Sequence, residues 1–406
     1  MSLTTVKEAL EIVVNNSQNF GIEKVDFLNS CGRILKENIF ADRDFPPFDR
    51  VSMDGIAISS EAFNNGQRKF NIEGIQAAGS AQLTLQNTSN CMEAMTGAVL
   101  PKNTDAVIQY ELLTIENGTA TINLDALKSF QNIHLKGTDK KQGDLLIKEN
   151  TLISPAEIGV FATVGKSTVK VAKQPKVIIV STGNELVEVG EIPADHQIRR
   201  SNVFTMVSLL EKLHIKADTL HILDDREVLL TKIESLLNNY DVLVFSGAVS
   251  KGKFDFIPEV LNELGVEKLF HEVKQRPGKP FWFGRKVYTE RSRSETTIFA
   301  LPGNPVSTFV NCIKYFYPWH YKSVGLNFEN QHQAILIEDF YFKPELTYFL
   351  QVKLSQVEGK LWATPISGKG SGDLANLVEA DGFLELPDNR SNFTKGEVFP
   401  VIIYRQ

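Results

Sequence analysis

Between Gln174 and Gly325, short apolar β-branched runs alternate with longer stretches of helical period. Val177–Val180 precedes Ser201–Leu213, Thr219–Leu223 precedes Arg226–Asn238, Val242–Phe245 precedes Phe256–Leu264, and Thr297–Ala300 precedes Val306–Tyr317. No other feature narrows the fold as far. Strand–helix alternation over about 150 residues predicts a doubly wound, parallel α/β sheet. Three of these strands run into glycine turns: Ser181-Thr182-Gly183-Asn184-Glu185, Ser246-Gly247-Ala248-Val249-Ser250 and Leu301-Pro302-Gly303-Asn304-Pro305-Val306-Ser307. A further turn, Arg276-Pro277-Gly278-Lys279-Pro280, lies before the last of these, so in chain order it is the third of four and Leu301–Ser307 the fourth. Turns at the carboxyl ends of strands form the ligand crevice of an open α/β sheet. Glycine lets backbone approach an anion, and helix N-termini aim N–H groups at it. One phosphate- or oxyanion-binding crevice is expected.

The flanking regions have a different texture. Thr5-Val6-Lys7-Glu8 is a capping-box pattern that starts an amphipathic helix. Two prolines in Asp44-Phe45-Pro46-Pro47-Phe48-Asp49 end regular structure. From Gly55 to about Ile133, β-like runs (Gly55–Ile58, Ala106–Tyr110, Leu113–Ile115, Thr119–Ile122) are broken by Gly, Asn and Asp turns. After Gly325, alternating runs (Gln333–Ile337, Phe349–Leu354, Leu361–Thr364, Val398–Ile403) predict a β-barrel or sandwich. The expected organisation is α/β multidomain. Residues 1–50 with 136–173 make a discontinuous N-terminal linker and dimerisation domain, 51–135 an inserted β-rich domain, 174–325 the α/β domain, and 326–406 the C-terminal β-barrel.

Bulk properties exclude several classes. A net charge of −6 argues against general nucleic-acid or acidic-membrane binding. Cys31, Cys91 and Cys312 are scattered and odd in number, which favours a reducing compartment over a disulfide framework. The N-terminus has no apolar signal core, and no apolar run reaches spanning length. A cytoplasmic protein without nucleic-acid or membrane partners is expected.

Any anion site must then come from local cations. Lys251 and Lys253 follow the second turn, while Lys274, Arg276 and Lys279 surround the third. Arg276 suits bidentate grip of a phosphate and Lys279 a point charge; a solvated basic loop is the competing reading. Asp224, Asp225 and Asp255 lie just beyond strands, where carboxylates beside a phosphate site can hold Mg²⁺. Helix capping competes for Asp225 and Asp255. Glu185 sits where a cap is less natural. Asp54, in Ser52-Met53-Asp54-Gly55, and Thr96, in Met95-Thr96-Gly97-Ala98, read alone as turn residues. The seven histidines show no metal-ligand spacing, and no nucleophile elbow supports Ser-His-Asp catalysis.

Taken together, these motifs resemble the molybdopterin molybdenumtransferase family, which includes bacterial MoeA proteins and the gephyrin E domain. The match also takes in Asp105-Ala106-Val107, Gly137-Thr138-Asp139, Gly143-Asp144, Ser201-Asn202 and Gly370-Ser371-Gly372. Any one motif is weak, but their order and spacing are specific. The resemblance implies insertion of molybdate into adenylylated molybdopterin, with Mg²⁺ and release of AMP. It also implies a homodimer whose active cleft lies between subunits, so that Asp54 and Thr96 of one chain close the crevice of the other. By position, catalytic roles carry over to Asp54, Thr96, Asp139, Glu185 and Asp255, and metal binding to Asp224 and Asp255. Substrate binding falls to Ser181, Thr182, Gly183, Ser246, Gly247, Arg276, Lys279, Pro302, Gly303, Asn304 and Ser371, of which Pro302 and Ser371 line the molybdate pocket. Further partners implied are a molybdopterin adenylyltransferase and molybdoenzyme chaperones.

This chain departs from the family pattern at Arg50, Asn184, Arg200, Ala248 and Glu272. Lys274 is expected to compensate the charge that Glu272 removes. Two alternatives are a molybdopterin adenylyltransferase, whose fold resembles the central domain, and a non-catalytic scaffold of the gephyrin type. The adenylyltransferase would need neither flanking β unit, and Asp255 and Lys279 argue against a scaffold.

Overall fold

The computed structural model describes residues 3–247, 249, 255–289, 295–326, 332–366 and 370–405. Ala248, Ser250, Lys251 and Lys253 lie outside them. Helix α1 (Val6–Asn15) starts on the expected capping box: the Thr5 hydroxyl accepts from Glu8 N at 3.2 Å, and the Glu8 carboxylate accepts from Thr5 N at 2.9 Å. Its buried face of Val6, Ala9 and Val13 packs on the α/β core rather than on the segments that follow it. The two flanks of the insertion then close on each other, with Ile22–Asp26 antiparallel to Thr168–Ala172 and Ile39–Phe40 antiparallel to Leu145–Ile147.

Between these flanks the chain forms a six-stranded sheet. Its strands are β1 (Gly55–Ile58), β2 (Lys69–Gln76), β3 (Cys91–Ala94), β4 (Ala106–Gln109), β5 (Leu113–Glu116) and β6 (Thr119–Ile122), in the order β4-β1-β3-β2-β6-β5. Strand β1, flanked by β4 and β3, is buried along its whole length. Gly55 begins it because a Cβ there would stand 1.9 Å from the Ile108 carbonyl oxygen of the neighbouring β4.

The α/β unit holds β7 (Val177–Thr182), α2 (Asn202–Glu211), β8 (Ala217–Ile222), α3 (Arg226–Asn239), β9 (Val242–Ser246) and α4 (Ile257–Glu263). It continues with β10 (Glu267–His271), β11 (Trp282–Val287), β12 (Glu295–Leu301) and α5 (Pro305–Asn311). Strand order is β8-β7-β9-β12-β11-β10. Period-two burial sets the two layers. Val177 and Ile179 meet α1, α2 and α5, while Ile178 and Val180 meet α3 and α4. The first four strands are parallel, as expected. The expectation of a wholly parallel sheet fails at one edge, where β11 runs antiparallel to both β12 and β10. The links from β10 to β11 and from β11 to β12, residues 272–281 and 288–294, are shorter than a parallel crossover requires, and such short connections join antiparallel neighbours. The long helix expected over Val306–Tyr317 is also interrupted: α5 passes into a π-helical turn, Cys312–Phe316, before α6 (Tyr317–Ser323).

The C-terminal strands β13 (Gln333–Leu336), β14 (Thr347–Val357), β15 (Lys360–Pro365), β16 (Gly382–Leu386) and β17 (Val398–Ile403) form a closed barrel, since β14 pairs with both β15 and β16. Leu336, Leu350, Val352, Leu384 and Val401 fill it. The pair Gln275–Arg276 adds alongside β14 in parallel, so the third glycine turn is braced by the barrel. No helix among the described residues is long and apolar enough to cross a membrane.

Candidate active site

The chain leaves β7 to form β8 on one side and then β9 on the other, so the order reverses at the β7/β9 boundary. Ligands of doubly wound folds bind at such a switch point, outside the carboxyl ends of the strands. The first two glycine turns sit there. Gly183 has φ +140°, and Gly247 has φ +105° with its hypothetical Cβ 3.1 Å from the Thr182 carbonyl oxygen. A Cβ on Gly303 would stand 3.6 Å from Gly247 Cα, which brings in the fourth turn. Asn202, the first residue of α2, ties these segments together: its Nδ2 donates to Ser246 Oγ at 3.1 Å and to the Gly303 carbonyl at 2.6 Å. From the barrel side, Ser371 Oγ accepts from Asn304 Nδ2 at 2.8 Å and Ser371 O from Val306 N at 3.1 Å. β10, which leads toward the third turn, is tied to the second turn by its last residue, His271, whose Nε2 lies 2.9 Å from the Val249 carbonyl. The first, second and fourth turns therefore assemble as one crevice, with β10 leading from it toward the third.

The carboxylates divide by role. Asp225 Oδ1 accepts from Val228 N at 3.0 Å and is spent on capping α3. Asp224 is different: its backbone N–H donates to Asn184 Oδ1 at 3.1 Å, while its own Oδ1 is buried without a hydrogen-bond partner. Burial first, and then the Glu185 and Asp255 carboxylates, raise the Asp224 carboxyl above its ordinary value. Like charges gathered around a buried oxygen call for a cation. Among the described residues no three His, Cys, Asp or Glu side chains form a metal cage by themselves. Mg²⁺ does not need one, since it takes one or two carboxylates and completes its shell with water and substrate phosphate. The donor set fits that ion.

Two side chains, Arg200 and His221, complete this floor that sequence reasoning did not single out as site residues. Arg200 is nearly buried, pairs with Glu188, and donates from Nε to Ser181 Oγ at 3.1 Å. Ser181 Oγ lies 3.1 Å from His221 Nδ1 as well, because β8 aligns the two residues in register. Arg200 Nη2, His221 Nε2 and Thr182 Oγ1 are buried and unpartnered, like Asp224 Oδ1. That register is fixed by strand pairing between distant segments, and only the departure at Arg200 was visible as a signal.

Arg276 and Lys279 are exposed on the third turn, with the Arg276 guanidinium 5.9 Å from the Phe342 ring. Lys274 does not supply the compensating charge expected of it. Its Nζ lies 2.9 Å from Asp388 of the barrel, and that pairing raises its affinity for the proton. A cation neutralised by an adjacent carboxylate is not free for an anion.

Asp54, Thr96 and Asp139 stand apart within one chain. Asp54 Oδ1 accepts from Thr96 N and Thr96 Oγ1, both at 2.6 Å, and these bonds hold its carboxyl below the usual value. Asp139 Oδ1 lies 2.8 Å from His134 Nε2, and His134 Nδ1 is 3.1 Å from Arg50, so the departure at Arg50 joins this small chain. Among the described residues no hydrogen bond or ion pair links these three positions to the four turns. A cavity of about 1470 Å³ between α1, α2, α6 and the barrel, lined by residues such as Leu10, Val14, Phe204, Leu377 and Tyr404, shares none of the crevice residues.

Comparison with known proteins covers the chain almost end to end. Residues 4–165 match the MoeA N-terminal region (domains I and II), 178–319 a probable molybdopterin binding domain, and 333–404 the MoeA C-terminal region (domain IV). A molybdopterin molybdenumtransferase of Synechocystis is 40% identical over 401 residues, covering 98% of this chain and 99% of that protein. One of Staphylococcus aureus is 31% identical, covering 98% and 95%. The crystal structure of a molybdopterin biosynthesis MoeA protein from Pyrococcus horikoshii superposes with a TM-score of 0.81 at 30% identity over the full length of both chains. With these three family regions in order along the chain and a 40% identical relative covering 98% of it, the chain belongs to the molybdopterin molybdenumtransferase (MoeA) family of transferases.

Proposed function

We propose that the protein inserts molybdate into adenylylated molybdopterin and releases AMP. The observation that carries this reading is the buried, unpartnered Asp224 carboxylate oxygen among Glu185 and Asp255, at the switch point of the sheet. The exposed Arg276 and Lys279 of the third turn would add donors for a polyanion to these acceptors for a cation. Asp224 and Asp255 would hold Mg²⁺, which when bound neutralises charge on the pyrophosphate and polarises it toward attack. Arg276 grips a phosphate or molybdate oxygen through two N–H donors, and Lys279 adds a point charge. Ser181, Thr182, Gly183, Ser246 and Gly247 admit the phosphates close to backbone, while Pro302, Gly303, Asn304 and Ser371 shape the molybdate pocket. Glu185 orients the attacking oxygen.

The second half of the site comes, in this reading, from another copy of the chain. Asp54, Thr96 and Asp139 would close the crevice of a partner subunit in a homodimer. The four-unit organisation, with a discontinuous N-terminal domain and an adenylyltransferase-like α/β domain, belongs to the same proposal. Thr96 keeps Asp54 ionised, so Asp54 serves as an orienting acceptor and not as a proton donor. Purified protein is incubated with adenylylated molybdopterin, Mg²⁺ and molybdate. Molybdate-dependent AMP release is expected. Its absence overturns the reading, and AMP-transfer from ATP to free molybdopterin would replace it with adenylyltransferase activity.

A further inference from the structure

The third turn stands on a polar support that none of the roles above uses. Gln275, Asn311 and Tyr315 are each fully buried. Gln275 Nε2 donates to the Pro277 carbonyl at 2.9 Å and to Asn311 Oδ1 at 2.7 Å. Asn311 Nδ2 donates in turn to the Gly278 carbonyl at 3.1 Å. The Tyr315 hydroxyl donates to Gln275 Oε1 and so fixes which way the amide faces. Both turn carbonyls between Arg276 and Lys279 are thus held from below. Gly278 has φ +90°, and a Cβ there would stand 2.7 Å from Asn311 Oδ1 and 2.8 Å from Gln275 Nε2, so the turn is seated directly on the network.

The other end of the support belongs to a different segment. Asn311 closes α5, the helix that springs from the fourth turn, and Tyr315 lies in the π-helical turn that follows. π-turns within helices commonly mark sites where a side chain is re-aimed for function. An apolar trio would fill the same volume without burying polar groups, which cost free energy unless every one is bonded. The network therefore does something packing alone would not. We infer that Gln275, Asn311 and Tyr315 are positioning residues: they lock the Arg276–Lys279 turn to the helix of the fourth turn and so fix the two cations at the spacing a pyrophosphate requires.

This inference rests on the proposed reading of Arg276 and Lys279 as anion ligands, and its test separates the two. Inorganic pyrophosphate is titrated calorimetrically into the full-length protein and into Tyr315→Phe, which removes one hydroxyl, and Asn311→Leu, which removes the donor to the Gly278 carbonyl and the acceptor for Gln275 Nε2. Each variant is also made in a Lys279→Ala background, and melting temperatures and AMP release are measured alongside. We expect Kd to rise about 3- to 10-fold for Tyr315→Phe and about 10- to 30-fold for Asn311→Leu, with the effects largely lost when Lys279 is already absent. Asn311→Gln, which retains an amide, should recover part of the loss. Lowered melting temperatures with unchanged Kd would reduce the network to a structural role and overturn the inference. Equal effects with and without Lys279, or no pyrophosphate binding by the parent protein, would overturn it as well. If Asn311→Leu does not fold, Tyr315→Phe decides alone. Pyrophosphate binding that depends on the network, without molybdate-dependent AMP release, would uphold the inference and remove the proposed reaction instead.

Discussion

At the scale of single residues, Asp224 sets the character of the site. Its carboxyl is raised by burial and by two neighbouring carboxylates, so the folded state binds a proton more readily than the unfolded chain. The sign follows from linkage: the stability Asp224 contributes is present below its unfolded value near 3.8 and is lost as pH rises through the higher folded value. At neutral pH the residue works against folding, and Asp224→Asn should raise the melting temperature. That gain should shrink as pH is lowered toward 4, which thermal denaturation at pH 7 and pH 4 would read directly. The same substitution should lower AMP release by about one to two orders of magnitude, because a charge-assisted contact contributes ~1.5–3 kcal/mol. A variant both less stable and fully active would contradict the assignment. Lys279→Ala should weaken the reaction by a similar factor, and the defect should narrow at high salt, where exposed charges are screened. The departure at Asn184 acquires a reason here. Asn184 offers Asp224 N a neutral acceptor, where an aspartate would place a fourth negative charge beside Glu185, Asp224 and Asp255.

At the scale of elements, legibility followed the length of the local pattern. The strands β7, β9 and β12 and helices α2 and α3 were readable because apolar runs and helical period are local signals. Strands β10 and β11 were not, since Glu267–His271 mixes charged and apolar residues and its strand state depends on pairing with Trp282–Val287. His221 was invisible for the same reason: its place beside Ser181 is a property of parallel register, not of its neighbours in sequence. Asp225 shows the reverse case, where the local capping reading was sufficient. Register also makes a prediction for the inserted sheet. Gly55 faces the Ile108 carbonyl at a distance no Cβ can occupy, so Gly55→Ala must part β1 from β4. A loss of about 1–3 kcal/mol is expected from such overpacking, read as a lower urea midpoint. Asp54 precedes Gly55 and should lose its alignment with Thr96, so activity should fall with stability. Gly74→Ala is the control, since nothing lies within 4 Å of its added Cβ and the chain there has no left-handed φ. That change should be neutral or stabilising by up to ~1 kcal/mol.

At the scale of the whole molecule, the separation of Asp54, Thr96 and Asp139 from the four turns decides what a single chain can do. Each half carries its own supports: the Thr96 bonds around Asp54 in the insertion, and the Asn202, Ser371 and His271 contacts around the crevice. Each half is held in shape by bonds of its own, which is what a site shared between two copies requires. In the proposed homodimer each crevice uses Asp54 from one subunit and Lys279 from the other. Asp54→Ala and Lys279→Ala proteins should then each be nearly inactive alone. Mixed one to one under conditions that exchange subunits, half the dimers are heterodimers, and one crevice of each heterodimer carries both lesions while the other carries none. Recovery of about a quarter of the parent activity is therefore expected, because symmetric two-fold assembly pairs every site across the interface. Mixing Lys279→Ala with Asp255→Ala is the internal control: both residues lie on the same side of the crevice, so every mixed dimer has two singly damaged sites and no recovery should occur. No recovery in the first mixture would place Asp54 within its own subunit's site or outside the reaction altogether, and recovery in the second would place Lys279 and Asp255 on different subunits.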